Sequence, residues 1–201
     1  MDDYLRIVSY NCRSIKNSLC DVIDLCRSND LIFLQEHWLP LQELSFMNNI
    51  HNDFIAFSSS PVDLGNELLR GRPHGGLSVM IRKDMTSLVK HVDSSDPRLM
   101  FLEIMIDGTP TLLVNCYLPY DNGQNIEEYV HLLSKIQAVV VDFDYTNVMM
   151  LGDCNCHPGT EFWREFNSFC QDNEYVVSDV EMLGIDSNSI TYVSDMTDRG
   201  Y

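Results

Sequence analysis

The order strand, helix, strand occurs at both ends of this chain with strand-like runs between, and that order leaves few ways to build a core. "LRIVSYN" reads as a strand ending in Asn11, and Ile15, Leu19, Val22, Ile23 and Cys26 then recur at helical spacing. "NDLIFLQE" gives a second strand, ending at Glu36. "FIAFSS", "GGLSVMIRK", "RLMFLEIMI" and "TLLVNCYLP" follow as strands, the last two joined across "DGTP", whose Asp-Gly predicts a hairpin. From Asn125, the residues Ile126, Tyr129, Val130, Leu133, Ile136 and Val140 share one helical face. A buried strand "NVMMLGD", a short amphipathic helix "TEFWREFNSFC" and a last strand "SITYVS" complete the pattern. Helices alternating with strands at both ends, and antiparallel strands between, predict two sheets packed face to face with helices outside, a layered α/β core.

Size and composition agree with one globular unit. The 201 residues are 45% hydrophobic and 10% aromatic, enough to bury a full core without staples. The seven cysteines are odd in number and lack a paired C-x-x-C spacing, which predicts a reducing, intracellular compartment and no disulfide framework. Cys154, Cys156 and His157 lie close together, but a structural zinc needs a second pair of ligands and none is evident. The start "MDDYLRIVSY" lacks the basic and apolar regions of a signal peptide, and no apolar stretch approaches the ~20 residues that span a bilayer. No membrane partner is expected.

The formal net charge of −17 is unevenly spread: residues 1–100 hold 10 Lys+Arg and 13 Asp+Glu, and residues 101–201 hold 3 and 17. Arg70, Arg72, Arg82, Lys83 and Lys90 are the densest basic group. So acidic a chain repels polyphosphate at long range, which counts against a nucleic-acid substrate unless a metal and a local basic rim do the binding.

The strands end in polar residues: Asn11, Glu36, Asn115 with Tyr117, and Asp153 with Asn155. In "MLGDCNCHPGTEF" Gly152 and Asp153 also read as an ordinary turn leading to a helix cap. Taken singly, Asn11 is a turn former after a strand, and Tyr117 is a core aromatic. Glu36 is harder to dismiss, because a carboxylate between "LIFLQ" and "HWLP" wants a partner. Strand ends on one side of a sandwich meet at a single rim, where Glu36 and Asp153 would suit a hard divalent cation such as Mg²⁺. Phosphoester hydrolysis is the chemistry that set serves.

In order and spacing, "SYNCRS", "LQEHWLP", "RPHGGLSVMIRK", "NCYLPY", "GDCNCHPG" and "ITYVSD" resemble the endonuclease/exonuclease/phosphatase superfamily, the DNase I-like fold. The Arg-Pro-x-Gly-Gly stretch looks most like the endonuclease domain of non-LTR retrotransposons. The resemblance implies a four-layer α/β/β/α sandwich of two mixed sheets in a single domain, residues 1–201. It implies Glu36 as the principal ligand of Mg²⁺, with Mn²⁺ as an alternative, and Asn11 as organiser of the metal site. Tyr117 would lie against the scissile phosphate, Asp153 would position or activate the attacking water, and Asn155 would hydrogen-bond the phosphate. Thr191 resembles a substrate-contacting threonine, and His74 reads equally as a loop residue or a phosphate contact. The implied reaction nicks one strand of DNA, in a nuclear protein whose longer polypeptide also carries a reverse transcriptase domain.

The superfamily's closing motifs, an Asp in an Ile-Asp-His-like strand and a Ser-Asp-His, are not found before Tyr201. The expectation is a domain incomplete at its C-terminus, its last strands missing and its activity small. Hydrolysis of a small phosphoester or phospholipid headgroup, and a non-catalytic binding remnant, stand as alternatives.

Overall fold

The computed structural model describes residues 4–66 and 71–184, in two compact units, Met1–Asn155 and Cys156–Tyr201. The expected strand "SITYVS" and Thr191 lie outside the described residues.

The first unit holds two mixed four-stranded sheets. One has the order β1-β2-β4-β3, built from β1 (Ile7–Asn11), β2 (Leu31–Gln35), β3 (Phe54–Ser59) and β4 (Leu77–Arg82). The other has the order β5-β6-β7-β8, built from β5 (Val89–Val92), β6 (Leu99–Ile106), β7 (Thr109–Tyr117) and β8 (Asn147–Asp153). Among the described residues only β1 with β2, and β7 with β8, pair in parallel. A parallel neighbour needs a crossover, and α1 (Leu19–Ser28) and α2 (Ile126–Asp142) provide them. The two strand, helix, strand units expected from the sequence are therefore these parallel edges.

β2 shows why its sequence is apolar throughout. Leu31 and Phe33 face the second sheet, packing with Met100, Leu102, Ile104 and Leu113. Ile32 and Leu34 point the other way, onto Val22 and Cys26 of α1. A strand covered on both faces has no polar face to show. Asp107 (φ 49°) and Gly108 (φ 79°) form the two-residue turn between β6 and β7, with Ile106 opposite Thr109. Positive φ at both centres is what a hairpin of this length demands.

Five details depart from expectation. Ile15 is buried ahead of α1 rather than within it, and Val130 of α2 is exposed while Leu132 is buried. β8, expected as a buried strand, is an edge strand whose residues are half-buried or exposed, because only β7 pairs with it. Asn115 is wholly buried inside the sandwich. β5, with Lys90 and His91 exposed at its centre, has too little apolar pattern to announce a strand.

In the second unit, Thr160 caps α3 (Glu161–Asp172): its Oγ1 accepts from the Trp163 N–H at 3.1 Å. Phe162, Phe166 and Cys170 form the buried face of α3, and α4 (Ser178–Leu183) follows. No helix among the described residues is long and apolar enough to cross a membrane.

Candidate active site

Both parallel pairs deliver their C-terminal ends to the same place. Asn11 lies opposite Gln35, so Glu36 is the first residue past β2, and Tyr117 lies opposite Asp153 at the ends of β7 and β8. The Asn11 amide joins the two ends: Nδ2 donates to Glu36 Oε1 and to Asp153 Oδ2, each at 2.8 Å. The orientation of this amide is set by its other end, where Oδ1 accepts the Arg13 N–H at 3.3 Å. An NH₂ group has two hydrogens, and both are spent on carboxylates. The second oxygen of each carboxylate is also held, Glu36 Oε2 by the Trp38 indole N–H at 3.1 Å and Asp153 Oδ1 by the Asn155 N–H at 3.1 Å.

The backbone is bent to achieve this. Of the eight non-glycine residues with positive φ among those described, five are Arg13, Ser14, Glu36, Trp38 and Asn155. Left-handed backbone costs a non-glycine residue of order 1 kcal/mol or more, and it persists where surrounding contacts over-determine it. Here the contacts are main-chain bonds from Ser14 N to Glu36 O (2.8 Å), Ile15 N to His37 O (3.1 Å) and Trp38 N to Gly75 O (3.0 Å). Gly152 has a different necessity: a Cβ on it would lie 2.0 Å from the Cys116 carbonyl oxygen. Only glycine lets β8 come close enough to β7 to set Asp153 beside Tyr117.

His37 is a structural neighbour of Glu36. Its ring is buried, Nδ1 accepts the Leu39 N–H at 3.0 Å, and the Nε2–H therefore donates to Ser59 O at 2.9 Å. Burial drives its pKa down to about 4, so the ring is neutral and fixed in one tautomer. Tyr117 moves the opposite way. Burial, then the negative charges of Glu36 and Asp153, raise its phenol to about 12, with Arg98 opposing. The Arg98 guanidinium lies 5.5 Å from the Tyr117 ring centroid and pairs with Glu128 at 3.4 Å.

Residues 8–171 match the Endonuclease/Exonuclease/phosphatase family. The chain belongs to that family. No curated protein matches it. Among solved structures, the AP endonuclease LMAP from Leishmania major aligns with 89% of this chain and 69% of its own at 13% identity and a TM-score of 0.65. The 3′ phosphatase NExo from Neisseria, bound to a product DNA hairpin, aligns with 83% of this chain and 71% of its own at 13% identity and a TM-score of 0.57. The endonuclease domain of TRAS1, a telomere-specific non-LTR retrotransposon, aligns with 85% and 71% at 12% identity and a TM-score of 0.55. These likenesses establish a DNase I-like fold, the two-sheet sandwich expected from the sequence.

The family's chemistry can be tested against the residues present. Among the described residues no group of three or more His, Cys, Asp and Glu side chains forms a closed metal cage. Two half-buried carboxylates on one amide nitrogen are instead an open, all-oxygen donor pair, which suits Mg²⁺, an ion that keeps most of its shell for water and substrate phosphate. A cation held there would also offset the mutual repulsion of Glu36 and Asp153.

The other residues singled out in the sequence fall at different distances from this cluster. Asn155 sits at its edge, with Nδ2 donating to Leu118 O at 2.7 Å and a second N–H in reserve. His74 is exposed on the loop before β4 and takes no part in the bonds that join Asn11, Glu36 and Asp153. Thr191 lies outside the described residues. Asn115, at the same strand end as Tyr117, turns inward: Oδ1 accepts from Gln35 Nε2 at 2.7 Å, and Nδ2 donates to Leu34 O at 3.2 Å and Ser78 O at 3.0 Å. It ties the two sheets together beneath the rim. Arg72, which the sequence marks only as one of a basic group, has its guanidinium over the Trp38 ring at 4.3 Å from the centroid.

Proposed function

We propose that the chain is a divalent-metal-dependent phosphodiesterase acting on DNA, nicking one strand as the endonuclease domain of a retrotransposon-type protein. The observation that carries the reading is the single Asn11 amide that holds Glu36 and Asp153 together at 2.8 Å each. Glu36, assisted by Asp153, would hold Mg²⁺ or Mn²⁺, which when bound neutralises charge on the phosphate oxygens. Asn11 sets the spacing of the two carboxylates. Asp153 orients the attacking water and accepts its proton, its carboxylate held in place by the Asn11 side-chain amide on one oxygen and the Asn155 backbone N–H on the other. Tyr117, protonated through neutral pH, donates its phenol hydrogen to a phosphate oxygen, and the second N–H of Asn155 does the same. His74 and Thr191 complete the substrate contacts in this reading.

Support for DNA comes from neighbours of the same fold whose structures contain a DNA hairpin or a single-strand DNA product. A reverse transcriptase domain in the same polypeptide and action in the nucleus belong to the retrotransposon reading and share its support, the likeness to the TRAS1 endonuclease domain. The net charge of −17 favours a second reading, a small phosphoester or phospholipid headgroup that needs no polyanion groove.

Supercoiled plasmid separates the two. With Mg²⁺, conversion to open circles that stops in the Glu36→Ala chain supports the endonuclease. Release of phosphate from a soluble phosphoester, with plasmid left intact, supports the second reading instead.

A further inference from the structure

Residues 71–76, just ahead of β4, lie against the site and place a cation on its rim. Main-chain bonds from Trp38 N to Gly75 O and from His37 N to Gly76 O stitch the loop to the exit of β2. Gly76 permits the approach, since a Cβ there would lie 2.3 Å from the His37 ring. Four residues before Gly76, the chain is positioned so that the Arg72 guanidinium covers the Trp38 indole at 4.3 Å from its centroid. Trp38 in turn donates to Glu36 Oε2 at 3.1 Å. Guanidinium, indole and carboxylate thus form one stack-and-bond chain.

A guanidinium stacked on a ring uses its flat face, while its N–H donors radiate in the guanidinium plane and stay available. Arg72 is exposed, and no carboxylate among the described residues pairs with it. Arg82, Arg98 and Lys135 differ, each being paired with an acidic side chain. In a chain of net charge −17, a cation left unpaired beside two carboxylates is a candidate for an anion's partner. The planar fork fits a phosphate, and Trp38 fixes its distance from Glu36.

We infer that Arg72, held on Trp38, binds the backbone phosphate adjacent to the scissile one and so selects a nucleic-acid strand over a small phosphoester. The inference rests on the reading of Glu36 as the metal-holding carboxylate and adds to it the substrate class. A small phosphoester has no neighbouring phosphate, so Arg72 has nothing to grip there.

The test is the salt dependence of binding by the full chain to a fluorescent DNA oligonucleotide in EDTA, where nothing is cut. Arg72→Ala should weaken binding by about 5-fold or more and reduce the slope of log K against log salt by about 1. Arg72→Lys, which keeps the charge and loses the planar fork, should keep the slope and recover part of the affinity. A Trp38→Phe chain retains the ring but not the N–H; it should keep the slope and lose Mg²⁺-dependent activity. Equal slopes for wild type and Arg72→Ala, or no measurable DNA binding by the wild type, would overturn the inference. Binding needs no turnover, so an Arg72-dependent slope in a chain that cuts nothing would retain the grip of Arg72 on a strand's phosphate and overturn both the catalytic reading and the placement of that phosphate beside a scissile one.

Discussion

Asn11 and Asp153, 142 residues apart in sequence, meet through a 2.8 Å hydrogen bond at the open edge of the sandwich. The same nitrogen reaches Glu36 at 2.8 Å, so one neutral side chain sets the separation of two like charges. Asn11→Ala should leave the carboxylates facing each other without the donor they share, with only the Trp38 and Asn155 N–H groups still bound to their far oxygens. The expected result is a metal-free protein destabilised by about 1–3 kcal/mol, with much of the loss restored by Mg²⁺. Thermal unfolding with and without Mg²⁺ checks this; equal stability of the two chains without metal would contradict it.

Tyr117 should remain a proton donor well into the alkaline range. An unperturbed phenol is half ionised near pH ~10, whereas burial and the Glu36 and Asp153 charges hold Tyr117 at about 12. The tyrosinate absorbance lost on Tyr117→Phe substitution should therefore appear only above the titration of the exposed tyrosines. The same substitution should lower kcat by about 10²-fold if the phenol serves the phosphate.

His37 makes stability depend on pH in a defined direction. Its folded pKa of about 4 lies below the ordinary value of 6.5, so the unfolded chain takes up the proton first as pH falls. Stability from this residue is complete above pH 6.5 and is lost progressively toward pH 4, by up to about 3 kcal/mol. Urea unfolding across that interval should show a flatter dependence for His37→Gln, which has no ring to protonate. An identical slope for both chains would contradict the account.

Two glycines of the second sheet, one within β8 and one in the turn between β6 and β7, should respond differently to alanine. At Gly152 (φ 139°) the new Cβ meets the Cys116 oxygen at 2.0 Å, and at Gly108 (φ 79°) it meets nothing within 4 Å. Gly152→Ala should cost more than about 3 kcal/mol, and Gly108→Ala about 1 kcal/mol from backbone strain alone. Denaturant unfolding of the two chains gives the comparison directly.

These sites differ in how far the sequence announces them. Asn11, Glu36, Tyr117 and Asp153 each follow an apolar run, and a polar residue that ends a strand is visible without any knowledge of neighbours. Their convergence follows from the two parallel pairs, which the strand, helix, strand order implies. The burial of Asn115 is not legible, because its three partners come from β2 and β4, about 40 to 80 residues away. The exposure of β8 is hidden for a similar reason: "NVMMLGD" is apolar whether one neighbour or two pair with it. Arg72 on Trp38 depends on a loop returning to the sheet, and no local periodicity records such a return.

Isothermal titration with Mn²⁺ asks whether Glu36 and Asp153, spaced by Asn11, hold a divalent cation. The wild-type chain should bind one ion at this site, with affinity falling at least about 10-fold in Glu36→Gln and in Asp153→Asn. Mn²⁺ affinity equal in all three chains would contradict that role, whatever the chain is found to cut.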